Sequence, residues 1–426
     1  MRMLALAMTL LASAGADAAT LAIVHARAWT MTTAAPIDDA TIIVADGRVV
    51  SVSTGGSPPS GATVVDARGR IVTPGLMSGG TQLGLAEVAG AADTDDRSVA
   101  TGPLGAAFDI QYALDANSVL LPVARADGLT RAMDMPGGAA VAPFTGLGAI
   151  LHLVPGADIV ERPRAAVFAT VGDATLDKAG GSRAAQWILL RHALDEARTL
   201  AGRPPNLAPR DQAITRLDAA ALAPVLARTI PLAITANRES DIRQAIRLAR
   251  DEHVRVVIVG GVEAWRVAAD LAAASIPVVL DPEANLPQDF DQLGARLDNA
   301  AILQRAGVEI GFTVSGNTIY LSYDAGLALR EGAGMAVANG LPYAAALRAV
   351  TVAPQKIWGA VPLSGTLSPG APADLVIWDG DPLEPSNAPV AVYVDGRETS
   401  LRTRQTALRD RYAPARAADP LPPGYR

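Results

Sequence analysis

Through the middle of this 426-residue chain apolar runs alternate between strand-like and helix-like periods, and β-rich runs frame that middle at both ends. Together these two observations predict an α/β protein. The expected fold is a distorted (β/α)8 TIM barrel spanning about 290 residues, with a small β-sandwich formed by the N- and C-terminal segments. The alternative is a doubly wound open sheet. A third observation places it second: no Gly-x-Gly-x-x-Gly opens a helix after the first strand.

Changes of pattern set the expected boundaries. Residues 1–18 carry Arg2, an apolar run from Met3 to Ala12, and Ala16-Asp17-Ala18. That is the layout of a secretory signal peptide with its cleavage site, and it is too short to span a membrane. With no cysteine for lipid attachment, the mature chain is expected to be exported to the periplasm without an anchor. Residues 19–70 hold short β-branched runs, Leu21–His25, Ala40–Val44, Arg48–Val52 and Thr63–Asp66, broken by Asp46-Gly47 and Gly55–Pro59. An Asp-Gly pair between two such runs is a hairpin signal, so this is the first half of the sandwich. His25 lies inside the first run and reads as a structural strand residue.

Residues 71–360 form the expected barrel. Its strands are Ile71–Gly84, Thr130–Met133, Ala149–Val154, Ala165–Ala169, Ile230–Thr235, Val254–Val259, Ile276–Leu280 and Val308–Phe312. Its helices are Ser182–Ala201, Asp211–Leu226, Ser240–Glu252, Ala264–Ala274, Leu297–Ala306, Asp324–Asn339 and Tyr343–Trp358. Ser182 and Gly340 punctuate two of them as an N-cap and a C-terminal stop. Residues 361–400 supply the second half of the sandwich. Residues 401–426 begin as a solvated helix with Arg402, Arg404, Arg409 and Arg411 and end in a Pro-rich tail expected to be mobile.

Composition excludes several kinds of chemistry. Half the residues are hydrophobic and 19% are charged, enough for a sizeable core. A net charge of -7 gives nucleic acid or an anionic membrane no electrostatic invitation. No cysteine means no disulfide, thiolate metal site or cysteine nucleophile. The only histidines are His25, His152, His192 and His253.

The stretch Ile71-Val-Thr-Pro-Gly-Leu-Met-Ser-Gly-Gly-Thr-Gln-Leu-Gly84 resembles the opening signature of the amidohydrolase superfamily, in particular the imidazolonepropionase-like branch, which reads roughly V-x-P-G-L-I-D-x-H-x-H. Near the other end, Gly365-Thr-Leu-Ser-Pro-Gly-Ala-Pro-Ala-Asp-Leu-Val-Ile-Trp378 resembles that superfamily's G-S-L-x-P-G-x-x-A-D-L-V-V stretch. The resemblance covers about residues 20–415. It implies the barrel and sandwich, hydrolysis of C–N bonds, and a divalent metal held at the ends of the first, fourth, fifth, sixth and eighth strands.

The residues at those places depart from the pattern. Gly80 and Gln82 stand where two histidines would be. The fifth strand ends with Thr235 and Asn237, and the sixth with Gly260 in a histidine's place. The eighth has Ser315 where an aspartate is expected. No lysine or acid closes the fourth strand, because Lys178 lies beyond it. A catalytic metal needs imidazole, thiolate or carboxylate donors to lower the pKa of its water, and these positions offer none. The expectation is therefore no metal cofactor. A lost hydrolytic site would leave a pocket of Gln82, Thr235, Asn237, Glu263 and Ser315 that binds a polar small molecule or serves a partner.

Two alternatives stand beside it. One is an active hydrolase of amide, cyclic amide or dipeptide C–N bonds using Asp281, Glu283 or Asp298, or an unrecognised metal site. The other is a structural subunit, homo-oligomeric or in a hetero-oligomer with an active paralogue. Asp93-Thr-Asp-Asp96 lacks the spacing of a calcium loop and reads as solvated. Ser315 has no nucleophile elbow around it, and His152 reads as a core histidine. His192 and His253 fall on predicted helix surfaces. Asp298 and Asn299 read as helix-start residues, and Asp374 as a turn residue fixing the start of its strand.

Overall fold

A computed structural model describes residues 20–88, 91–200, 213–284, 286–287, 289–314 and 323–413. The expected signal segment, Ser315 and the final tail lie outside the described residues.

Five strands open the chain: β1 (Leu21–Ala28), β2 (Ile37–Ala45), β3 (Arg48–Thr54), β4 (Thr63–Asp66) and β5 (Ile71–Pro74). Eight more follow: β6 (Leu76–Thr81), β7 (Leu129–Asp134), β8 (Phe144–His152), β9 (Val160–Thr170), β10 (Leu232–Ala236), β11 (Val256–Gly260), β12 (Val278–Leu280) and β13 (Ile310–Phe312). Three close it: β14 (Leu375–Trp378), β15 (Pro389–Val394) and β16 (Arg397–Glu398).

The terminal strands interleave in one eight-stranded sheet ordered β16-β15-β14-β5-β1-β2-β3, with β4 also on β1. The β2–β3 turn is Asp46-Gly47, both at positive φ, the geometry that suits the twist of a two-residue hairpin. Alternating Ile23, Ile42, Val72, Leu375 and Ile377 give this sheet its own apolar cluster. His25 sits where the β1–β2 register slips, at φ 52 and exposed, with Nδ1 3.1 Å from Asp66.

The remaining strands β6 to β13 are neighbours in chain order and nearly close on themselves, with β13 returning against β6. Met77, Met133, Phe168, Val257, Val279 and Trp358 fill the middle. This is a distorted TIM barrel, and the distortion is directional: β8 runs antiparallel to both β7 and β9, while the other neighbours are parallel. The connections 135–143 and 153–159 are too short for a crossover helix, since a parallel return takes about a dozen residues or more.

Leu121–Ala126 is a helix that no expected element covers, and three of the expected helices differ from the sequence pattern by more than two residues or by a break. The expected helix Asp211–Leu226 begins at Arg216, after Thr215 closes a capping box with Asp218. The expected Ala264–Ala274 is a 3-10 turn, Ala264–Val267, followed by a helix, Ala268–Ala273. The expected Tyr343–Trp358 divides into Tyr343–Ala349 and Val352–Trp358. Pro354 explains this last break, because it has no N–H to give the carbonyl four residues back and its ring crowds that carbonyl. The freed Val350 carbonyl accepts instead from the Met77 N–H at 2.9 Å, tying the helix pair to the first barrel strand.

Candidate functional site

In a barrel of this kind the C-terminal strand ends form the working face. There the first strand brings Gly80 and Gln82, both buried. At Gly80 an added Cβ would lie 2.3 Å from Met135 Cε and 2.7 Å from Thr313 Oγ1, so a side chain enters here only if the end of Met135 swings aside. The Gly80 carbonyl accepts from the Thr313 hydroxyl at 2.9 Å. Gln82 is held at its other end, its Oε1 accepting from Arg97 Nη1 at 3.1 Å.

On the sixth strand Gly260 has φ +83, a conformation that side chains rarely adopt, and an added Cβ would stand 2.3 Å from Asn237 Oδ1. That oxygen is buried and accepts no hydrogen bond. Thr235 is half-buried one turn of the strand below it. Glu263 is engaged structurally: its carboxylate accepts from the backbone N–H of Glu239, which opens a helix, and of Gly294, each at 2.9 Å. Asn299 donates to the carbonyls of Gly261 and Val262 at 3.0 and 3.3 Å. The described side chains at the family's ligand positions do not fit a divalent cation.

Of the candidate carboxylates, Asp281 and Glu283 lie beside each other, and Asp298 is paired with an arginine. Asp281 accepts from the Glu283 N–H at 2.9 Å. Burial, and then the Glu331 and Asp281 carboxylates, push Glu283 up to about 7, and its Oε1 is buried without a partner. Asp298 is bound by Arg296, which holds its carboxyl below the usual range. His152 is at the opposite end of the barrel. Because β8 is antiparallel, its last residue points away from the mouth, and the imidazole lies 3.1 Å from Asp374.

Asp374 is more than a turn residue. It pairs with buried Arg131, which also donates to Glu161 at 2.7 Å. Burial raises the Asp374 carboxyl, but Arg131 and His152 outweigh this and leave it below the usual range. Among the described residues, His152, Asp374 and Asp395 place ligand-type atoms within 4.8 Å of one another. The Arg131 guanidinium already supplies the positive charge there. Lys178 donates to the Ala139 carbonyl at 3.1 Å, His192 is exposed beside Glu196, and His253 follows a helix at φ 56.

Two features of the mouth carry no sequence motif. Asp134, at the end of β7, is wholly buried; its Oδ1 accepts from the Thr81 hydroxyl and the Leu83 N–H, while Oδ2 has no partner. Burial pushes it up to about 8. A lone acid ending an apolar barrel strand was the available signal. The second feature is Arg183, which binds Asp173 at 2.7 Å, Asp241 at 3.3 Å and Asp291, joining segments that follow the fourth, fifth and seventh strands. Trp187 Nε1 adds a bond to Asp241 at 3.2 Å.

Residues 229–399 match the model of the amidohydrolase family. Over that segment, less than half of its length, the chain is similar to the amidohydrolases. In fold, an amidohydrolase from Thermotoga maritima MSB8 superposes on this chain with a TM-score of 0.79 at 24% identity, over 90% of this chain and 100% of the other. A putative prolidase from Bifidobacterium longum gives 0.55 at 18% identity, over 93% and 100%. Amidohydrolase tasK of Hapsidospora irregularis is 49% identical over 57 residues, 13% of this chain, and that match spans only 6% of tasK. Among the described residues no helix is long and apolar enough to cross a membrane.

Proposed function

We propose that this protein is an exported, imidazolonepropionase-like member of the superfamily in which the hydrolytic metal centre has been replaced by packing, and that its barrel mouth binds a neutral polar small molecule. The observation that carries the reading is the occupancy of two former ligand places, Gly80 by Met135 and Gly260 by Asn237. Asn237 Oδ1, buried and unpartnered, supports a ligand that brings an N–H or O–H donor, because a buried acceptor left unmet costs about 1–3 kcal/mol. Gln82 and Glu263 shape the wall, since their own polar atoms are engaged.

The test is metal content of the purified mature chain together with turnover of an amide and dipeptide panel. The expected result is no stoichiometric Zn, Mn or Ni and no hydrolysis. Near-stoichiometric metal, or turnover abolished by a chelator, overturns the proposal. One observation favours the competing reading of a metal-free hydrolase: Glu283, raised to about 7, has the pKa of a general acid–base group. Turnover that disappears in Glu283→Gln would establish that reading.

A further inference from the structure

A cavity of about 1010 Å³ opens at the opposite pole of the barrel, beneath the N-terminal ends of β10 to β13. Its floor is apolar, and includes Val257 and Ile357 from the barrel interior together with Ile246, Leu271 and Ile276. Six cations line it: Arg228, Arg243, Arg247, Arg250, Arg255 and Lys356. Three of them are matched by carboxylates. Arg243 pairs with Glu239 and Asp270 at 2.9 and 2.7 Å, Arg250 with Asp251 at 2.9 Å, and Lys356 with Glu309 at 2.6 Å. Arg228, Arg247 and Arg255 have no carboxylate partner among the described residues.

This is an inversion of the chain's overall charge of -7. It is also built against local repulsion, because Arg243, Arg247 and Arg250 follow one another at i, i+4 and i+7 on the helix Glu239–Asp251. Like charges at that spacing destabilise a helix by about 0.2–0.5 kcal/mol per pair. An anion in the cavity relieves that repulsion, and a guanidinium meets a carboxylate or phosphate with two parallel hydrogen bonds. The apolar floor selects the rest of the ligand. Cavities of about 300–1,000 Å³ take a small organic molecule rather than a bare ion.

We infer that this N-terminal cavity is a binding site for an organic anion, a phosphate or carboxylate carried on an apolar body. The site is independent of the barrel mouth.

Calorimetric titration of the mature chain at fixed ionic strength tests this, with phenyl phosphate, inorganic phosphate and phenol as probes. Phenyl phosphate is expected to bind saturably and at least about tenfold more tightly than inorganic phosphate or phenol, a difference readily resolved by titration. The variant carrying Arg228→Gln, Arg247→Gln and Arg255→Gln should lose that binding by about tenfold or more while melting no lower than the wild type, because these charges have no partner to lose and Arg247 repels its helix neighbours. Asn237→Ala, at the mouth, should bind phenyl phosphate as the wild type does. Absence of binding to the wild type, equal binding by the triple variant, or inorganic phosphate binding as tightly as phenyl phosphate each overturns the inference.

Discussion

The two ends of the barrel use their charged side chains in different ways. At the C-terminal mouth Arg183 is surrounded by Asp173, Asp241 and Asp291, and Glu263 caps a helix and a loop. Those groups tie together segments that would otherwise be separate loops. At the N-terminal pole Asp270 and Glu309 pair with other cations of the cavity, and three arginines, Arg228, Arg247 and Arg255, have no carboxylate partner among the described residues. The contrast teaches where recognition can reside. A charge already neutralised inside the protein fixes shape, whereas one left unmatched beside a cavity has binding energy to give to something else.

The strongest way to break this contrast is to remove the mouth's central cation. Arg183→Leu leaves the mostly buried Asp241 and Asp291 facing each other without compensation, and should cost about 3–5 kcal/mol of stability in denaturant unfolding, as removal of one member of a buried ion pair does. A loss below about 1 kcal/mol, the scale of an exposed pair, would show that the knot is peripheral.

Introducing an imidazole probes one of the places where the resemblance puts a metal ligand. Gly260→His meets both a positive φ and Asn237 Oδ1. It should cost about 2–4 kcal/mol, the sum of overpacking and backbone strain, and bring no metal uptake by elemental analysis. Uptake without loss of stability would mean that the site remains open.

A third measurement concerns Asp134. Its pKa is raised from 3.8 to about 8, so the fold favours the protonated acid. Its stabilising contribution is complete below pH 3.8, falls as pH rises through that window, and is gone above about 8. Stability measured between those limits should carry a downward slope of up to about 1.4 kcal/mol per pH unit from this one group, and Asp134→Asn should remove it. Equal slopes in the two proteins would contradict this.

The smallest effect sharpens the comparison from the other pole. Glu309→Gln frees Lys356, an exposed pair, and should change stability by less than about 1 kcal/mol. It should nevertheless tighten phenyl phosphate binding by adding a further unmatched cation at the cavity, which titration reads directly.

Strand positions were legible because β-branched runs such as Val254–Val259 and Ile276–Leu280 are bounded by turn residues, and each appears as a barrel strand within a few positions. The reversed direction of β8 was not, since a period of two says nothing about which way a strand runs. That reversal is also why His152 reached Asp374 rather than the mouth. At the site, the identities of Gly80, Asn237 and Gly260 were readable from motif position alone. What fills their places was not: Met135 lies far along the chain from Gly80 and belongs to no motif, and the three-aspartate neighbourhood of Arg183 is assembled from three separate segments.

The placement of β5 between β1 and β14 has a consequence for how the molecule comes to be made. β5 cannot gain its second neighbour until Leu375–Trp378, far along the chain, has joined the sheet. Until then it is an exposed edge, the kind of surface on which chains associate wrongly. A chain whose folding stops before Leu375–Trp378 docks would therefore hold an unfinished sheet directly ahead of its first barrel strand, and a holding chaperone has its greatest value to this protein during that interval.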